Sequence, residues 1–428
     1  MTRVRTALNR AFRSLRVRNY RLYFIGQTIS MSGTWMQSVA QAWLVLKLSG
    51  GGVALGIVTA LQFLPMLLAG PWGGVIADRV DKRRLVTITQ SVSGLLALAL
   101  GILTVTGVVQ LWMVYLLAFL LGLVSLADMP ARQAFVIEMV GANDVANAVS
   151  LNSVLTNAAR IVGPATAGIL IATIGIGPCF LANAASYIAV VAAFVAMDPD
   201  ELRRAKPVQR KRGQLREGLR YVWSRPDLRA PILLMAVVGA LAYNFSVVLP
   251  LMVKVVFHAG AGELGILYSV MGAGAVAGGL VIAARSRATH TMLTWSALCL
   301  GVALVATALA PGLGTELGVM VLVGVASTAF IATANTLLQL GSSEEMRGRV
   351  MALFMMVFLG TTPIGGPLIG WLAERFGPRE ALLVGAVATL VAGTAALIRL
   401  RHVRAVGDEQ DLSEPVRKAE LAEAIRSS

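Results

Sequence analysis

Long apolar blocks alternate with short polar connectors along this chain. A bilayer core takes roughly 20 apolar residues per helix, and the sequence supplies about twelve such runs, near 21–46, 53–77, 85–107, 111–137, 147–173, 178–197, 230–254, 262–284, 291–311, 315–340, 349–373 and 379–400. The pattern predicts an all-α membrane protein with twelve transmembrane helices. The basic stretch before the first run lacks a short apolar core with a small-residue cleavage site, so that run is expected to remain as a helix.

Connectors set the orientation. Of the 37 Lys and Arg, only Lys47, Lys254, Arg375 and Arg379 fall on one side of this topology, Arg132 and Arg160 fall inside runs, and all others share the side of the termini. By the positive-inside rule both termini are cytoplasmic, in a multi-pass protein of the cell membrane. The long basic connector 198–229 separates an amino-terminal six-helix bundle (1–197) from a carboxy-terminal one (230–404), and 405–428 forms a polar tail. Within the connector, Leu215, Leu219, Val222 and Trp223 share one helical face, as in a helix lying in the membrane interface or a solvated linker helix. A shift of 203 positions carries Gly163-Pro164 onto Gly366-Pro367 and Ala131-Arg132 onto Ala334-Asn335. The halves therefore read as pseudo-symmetric repeats, with a pathway between them.

Composition narrows the class. Hydrophobic residues make up 57% and charged residues 14% of 428 positions, with a mean hydropathy of +0.74, too apolar for a soluble globular protein. The net charge of +15 sits in connectors facing lipid headgroups, which argues against nucleic acid as a partner. Cys179 and Cys299 lie far apart in apolar runs, and His258, His290 and His402 form no metal or catalytic set. No phosphate-binding loop occurs, so no cofactor is expected and nothing points to ATP as the direct energy source. A membrane-embedded transferase would need reacting groups gathered in a pocket, and the sequence offers none.

The most specific stretch is Gly73-Gly74-Val75-Ile76-Ala77-Asp78-Arg79-Val80-Asp81-Lys82-Arg83-Arg84, between the second and third runs. Gly74, Asp78, Arg79, Lys82 and Arg83 resemble the loop G-x-x-x-D-R-x-G-R-R of the major facilitator superfamily, with Asp81 where that family most often has glycine. The fifth run holds Gly163, Pro164, Ala167 and Gly168, similar to the G-P-x-x-G-G element of drug:proton antiporters, with Ala167 replacing one glycine. Leu15-Arg16-Val17-Arg18-Asn19-Tyr20-Arg21, Asp81, Asp128-Met129-Pro130-Ala131-Arg132-Gln133 and Asn157-Ala158-Ala159-Arg160-Ile161-Val162-Gly163-Pro164 together resemble the exporter branch that contains enterobactin exporters and macrolide-type efflux proteins. The resemblance implies two six-helix bundles and export of a small organic molecule, a siderophore or a hydrophobic drug, by proton antiport. An uptake permease or uniporter is the alternative.

Individual residues then acquire expected roles. Asp78 either docks on the amino end of the eleventh run as an inside gate, helped by Gly74, Arg79 and Arg83, or is a solvated loop charge. Pro164 cannot donate to the Arg160 carbonyl, and small residues around Gly163-Pro164 and Gly366-Pro367 permit close helix approach during gating. Asp128 is the proton-coupling candidate, or a structural partner of Arg132 one turn away. Gln37 and Gln41 line a wet cavity or bond neighbouring helices. Arg160, about 13 residues into its run, must face a cavity or a partner rather than lipid. It either binds substrate or a titrating carboxylate, with Asn157 on the same pathway, or bonds helix carbonyls near Pro164. The expected partners are a small-molecule substrate, protons and membrane lipid, with a monomer as the default.

Overall fold

The computed structural model describes residues 12–141, 144–203, 214–284 and 288–400. Helix follows helix throughout these segments, and no strand occurs among the described residues. The six helices before the connector are α1 (Arg18–Ser49), α2 (Gly52–Arg79), α3 (Lys82–Val105), α4 (Leu111–Val140), α5 (Val145–Ile174) and α6 (Gly177–Val195). Then come the short α7 (Gln214–Ser224), α8 (Pro226–Leu241), α9 (Phe245–Leu251), α10 (Ala261–Ala283), α11 (His290–Ala308), α12 (Leu313–Gly341), α13 (Glu344–Gly360), α14 (Thr362–Arg375) and α15 (Pro378–Leu400).

Eleven spans among the described residues are long and apolar enough to cross a membrane. The first helix, α1, is outside that set. At 32 residues it has the length, but Gln27, Ser30, Gln37 and Gln41 on it are polar and buried.

Two expected helices are broken. The seventh run becomes α8 and α9 with a π turn at Met252–Val256. Asn244 sits at the break and turns its side-chain amide back onto the Ala240 carbonyl at 2.8 Å, while Pro250 removes a backbone donor just before the π turn. The eleventh run divides into α13 and α14 at Thr361, because Pro363 lacks the N–H that would bond the Leu359 carbonyl and sits comfortably in a new first turn. Turns are sharp where glycine permits: Gly50, Gly141 and Gly175 follow α1, α4 and α5 with positive φ.

Alternate turns place the helix ends at two faces. The Gly52 end carries the starts of α2, α4, α6, α10, α12 and α15. The Asp81 end carries the starts of α1, α3, α5, α8, α11 and α13. Among the first six helices, α1 packs on α5 and α6, α3 on α4 and α6, and α2 on α4; in the second half α12 packs on α10 and α11. Between the two groups the major contacts are α2 with α14 and α5 with α10.

The connector helix α7 lies at the Asp81 end, against α13 and α8. Glu217 pairs with Arg349 at 2.7 Å, and the Ser343 amide donates to the Tyr221 hydroxyl at 3.2 Å, which holds that phenol below the ordinary tyrosine pKa. The expected single apolar face is divided. Val222 is fully buried, whereas Leu219 and Trp223 are about half exposed. The Leu215 side chain, the connector residues 204–213 and the tail 405–428 lie outside the described residues.

Candidate functional site

A cavity of about 380 Å³ lies near mid-height of the helices, between α1, α2, α5 and α6 on one side and α9, α10, α12 and α13 on the other. Its size falls in the range of small-molecule sites. Gln37 and Gln41, one turn apart on α1, both line it. Gln37 also accepts a hydrogen bond from the Asn183 side-chain amide at 2.6 Å, so it serves the helix–helix contact as well. Aromatic rings of Trp35, Phe63, Tyr187, Tyr243 and Phe358 form much of the remaining wall.

Arg160 reaches this cavity from α5. Its guanidinium stands over the Trp35 ring, 5.1 Å from the ring centroid, a cation–π contact. Nε is buried and has no hydrogen-bond partner. The helix runs unbroken through Pro164, and Ser269 of α10 donates to the Ile161 carbonyl beside it at 2.7 Å. Asn157, three residues before Arg160, is not part of the cavity wall; its amide donates to the Ser153 carbonyl of its own helix at 2.9 Å.

Asp128 belongs to a different site. It is buried, pairs with Arg132 through Oδ2 at 2.9 Å, and accepts from Thr89 at 2.7 Å and Gln90 at 2.9 Å through Oδ1. Arg132 in turn donates to Gln27 at 3.2 Å. Tyr187 lines the cavity as well and packs against Gly94 of α3, the helix that supplies Thr89 and Gln90 to Asp128.

At the Asp81 end the loop residues hold neighbouring helices together. Arg83 donates from Nε to the Phe194 carbonyl at 2.8 Å and from Nη2 to the Val195 carbonyl at 3.0 Å, capping the carboxy end of α6 where the helix dipole favours a cation. Asp81 is the N-cap of α3 and accepts from the Arg84 amide at 2.9 Å; a glycine there would forgo that bond. Lys82 pairs with the buried Glu138 at 2.8 Å. Gly74 is buried and Arg79 exposed. The Asp78 side chain lies outside the described residues.

At the Gly52 end the helices of the two groups meet through glycines. A Cβ added to Gly56 would run into the backbone of Gly366 and Pro367, and one on either Gly52 or Gly370 would strike the other's backbone. On the opposite side a Cβ on Gly265 would meet the Pro164 carbonyl and Gly168. Gly163 faces α1 instead, against Ser32 and Trp35. The Gly-Pro elements of α5 and α14 thus each fit a facing helix backbone to backbone. Two charged groups add to this end: Glu374 accepts from the Val53 amide at 2.9 Å, and Lys254 donates to the Leu46 carbonyl at 2.8 Å.

Several residues escape sequence reasoning. Asn183, Tyr187 and Tyr243 are ordinary polar or aromatic positions until packing brings them to the cavity. Glu316, in the first turn of α12, is fully buried with neither carboxylate oxygen hydrogen-bonded; an acid just inside the amino end of an apolar run was the available signal.

An all-helical chain with many membrane-length spans around a polar, aromatic-lined cavity has the build of a membrane transporter. It belongs to the transmembrane secretion effector family of the major facilitator superfamily, whose sequence profile matches residues 9–428. It is 26% identical over 377 residues to a staphyloferrin A transporter of Staphylococcus aureus, covering 86% of this chain and 93% of that one. It is 29% identical over 393 residues to the multidrug efflux pump Tap of Mycolicibacterium fortuitum, covering 87% and 94%. Its fold is similar to the crystal structure of a bacterial homologue of the human lysosomal transporter Spinster, in an inward-facing, unoccupied conformation, with a TM-score of 0.72 at 14% identity over 90% of this chain and 96% of that one.

Proposed function

We propose that this protein is a secondary active transporter that exports a small organic molecule by alternating access, in exchange for protons. Twelve helices would form two six-helix bundles, 1–197 and 230–404, with α1 as the twelfth span and 198–229 as the cytoplasmic linker. The observation that carries this reading is one cavity walled by helices from both sides of the connector, with glycine-to-glycine contacts crossing between the same two groups toward one end. With both termini in the cytoplasm, that end is the outer one, and the cavity takes its ligand from inside. Of the named relatives, the drug efflux pump fits the same direction, and the siderophore transporter fits a small organic ligand.

In this reading Asp128 carries the exchanged proton. Protonation would release Arg132 and, through Tyr187, alter the cavity wall. Asp78 and Arg79 would close the inner face when the outer seams part, with Gly74, Gly163, Pro164, Gly366 and Pro367 permitting the helices to approach and separate.

Counterflow by purified protein in liposomes, with a panel of siderophores, macrolides and dyes and with or without an imposed pH gradient, tests the proposal. Accumulation that depends on the gradient and is lost in Asp128→Asn is expected. Turnover of a lipid substrate without any gradient, or uptake indifferent to pH in both proteins, would overturn it.

A further inference from the structure

The charge of the cavity wall bears on what the cavity holds. Among the described residues Arg160 is the one charged group on it: no described Asp, Glu or Lys lines it, and the other polar groups are neutral amides, hydroxyls and the Trp35 indole. The described buried carboxylates are occupied or elsewhere. Asp128 is held by Arg132, Thr89 and Gln90, and Glu138 by Lys82. Glu316 lies in the first turn of α12 and takes no part in the wall.

Arg160 therefore keeps a positive charge at mid-membrane depth without a counterion among the described residues. Such a charge is costly to place in a membrane protein and persists where a cavity or a ligand uses it. A cationic ligand in this space would meet the Arg160 charge with no carboxylate among the described wall residues to offset it. An anion would supply the missing partner in a medium of low dielectric, where the attraction is strong. The guanidinium carbon stands over the Trp35 ring, and its buried Nε has no acceptor among the described residues. The planar fork presents two parallel donors, a geometry that suits a carboxylate better than a point charge does. The aromatic wall suits a ring or other apolar body.

We infer that the cavity is selective for organic anions: a carboxylate seats on the Arg160 guanidinium, and an apolar or aromatic body packs among Trp35, Phe63 and Tyr243. The inference rests on reading the cavity as the transport site, and it separates anionic substrates from the cationic ones that an efflux pump could equally export.

Three probes of one shape test it: naphthalene-2-carboxylate, naphthalene-2-carboxamide and 2-naphthylmethylammonium. Equilibrium binding to the purified full chain in lipid nanodiscs is measured by calorimetry at neutral pH, so no transport is needed. The carboxylate should bind at least tenfold more tightly than either of the others. Arg160→Gln should erase the difference. Arg160→Lys, which keeps the charge without the fork, should retain part of it, and this serves as the reading if the glutamine variant does not elute as a monodisperse protein. Equal binding of carboxylate and carboxamide, tighter binding of the ammonium, a preference that survives in Arg160→Gln, or no binding of the carboxylate at millimolar concentration would each overturn the anion site. Counterflow of the same probes separates the two proposals. A carboxylate bound through Arg160 but never moved would leave the anion site and sink the transporter reading. Movement of the ammonium without preference for the carboxylate would do the reverse.

Discussion

Arg132 and Arg160 lie on consecutive helices and face opposite circumstances. Arg132 is partnered within the chain: a carboxylate one turn earlier takes its Nε, and Gln27 takes an Nη. Arg160 has an aromatic ring beneath it and an Nε with no acceptor. The first charge is accounted for by the chain itself, so removing it leaves a buried acid without its counterion. The second is open toward a cavity, so removing it takes away something a ligand would use. Burial alone does not distinguish these two arginines; the list of their acceptors does.

The largest effect should come from breaking the Arg132 ion pair. Arg132→Leu leaves Asp128 buried without its counterion, and loss of one member of such a pair costs about 3–5 kcal/mol. The expected result is a clear drop in thermal stability, followed in detergent by the temperature at which the monodisperse peak is lost. Asp128→Leu combined with Arg132→Leu should recover most of it. If the single variant is as stable as the parent, the pair is not what holds α3, α4 and α1 together.

Arg160→Leu sharpens the contrast with the opposite sign. An unpartnered cation at this depth costs about 2.5 kcal/mol or more on insertion scales, so the variant should insert and melt at the parental temperature or above it. A loss comparable to that of Arg132→Leu would mean that Arg160 has a structural partner after all.

The smallest effect is expected at the Gly52 end, away from both arginines. Glu374→Gln keeps the shape of the side chain but removes a charge from the amino end of α2, an interaction of about 0.3–1 kcal/mol. The same thermal assay should register a shift of a degree or two. A large loss would show that the end contacts, and not the buried pair, dominate stability.

Much of this was legible in the sequence because the strongest signals were local. The apolar runs foretold where helices lie, and a spacing of four foretold the contact between Asp128 and Arg132. Depth along its run gave the expectation that Arg160 faces a cavity or a partner, and the structure brings it to the same cavity as Gln37 and Gln41. What was not legible depends on helix rotation and long-range packing. Lys82 meets Glu138 across 56 positions of chain, and Asn183 meets Gln37 across 146. Asn157 sits three residues before Arg160 but spends its amide on its own helix, a choice that hydrophobic patterning does not reveal. The breaks at Asn244 and Thr361 were hidden for a related reason: Pro250 and Pro363 announce a disturbance without saying whether it will be a kink, a π turn or a new helix start.

The glycine contacts have a consequence for leakage. Where Gly52 meets Gly370 and Gly56 meets Gly366, the helices touch through their backbones, so little lies between them except carbonyls already bonded along their own helices. A file of water needs room and free polar partners, and this seam offers neither. In the proposed transport cycle such a contact would act as a dry seal, keeping ions and protons from slipping along it while the cavity is filled from the other side. A single added methyl group at Gly56 would pry it apart, and the first sign would be an ionic conductance in otherwise tight liposomes.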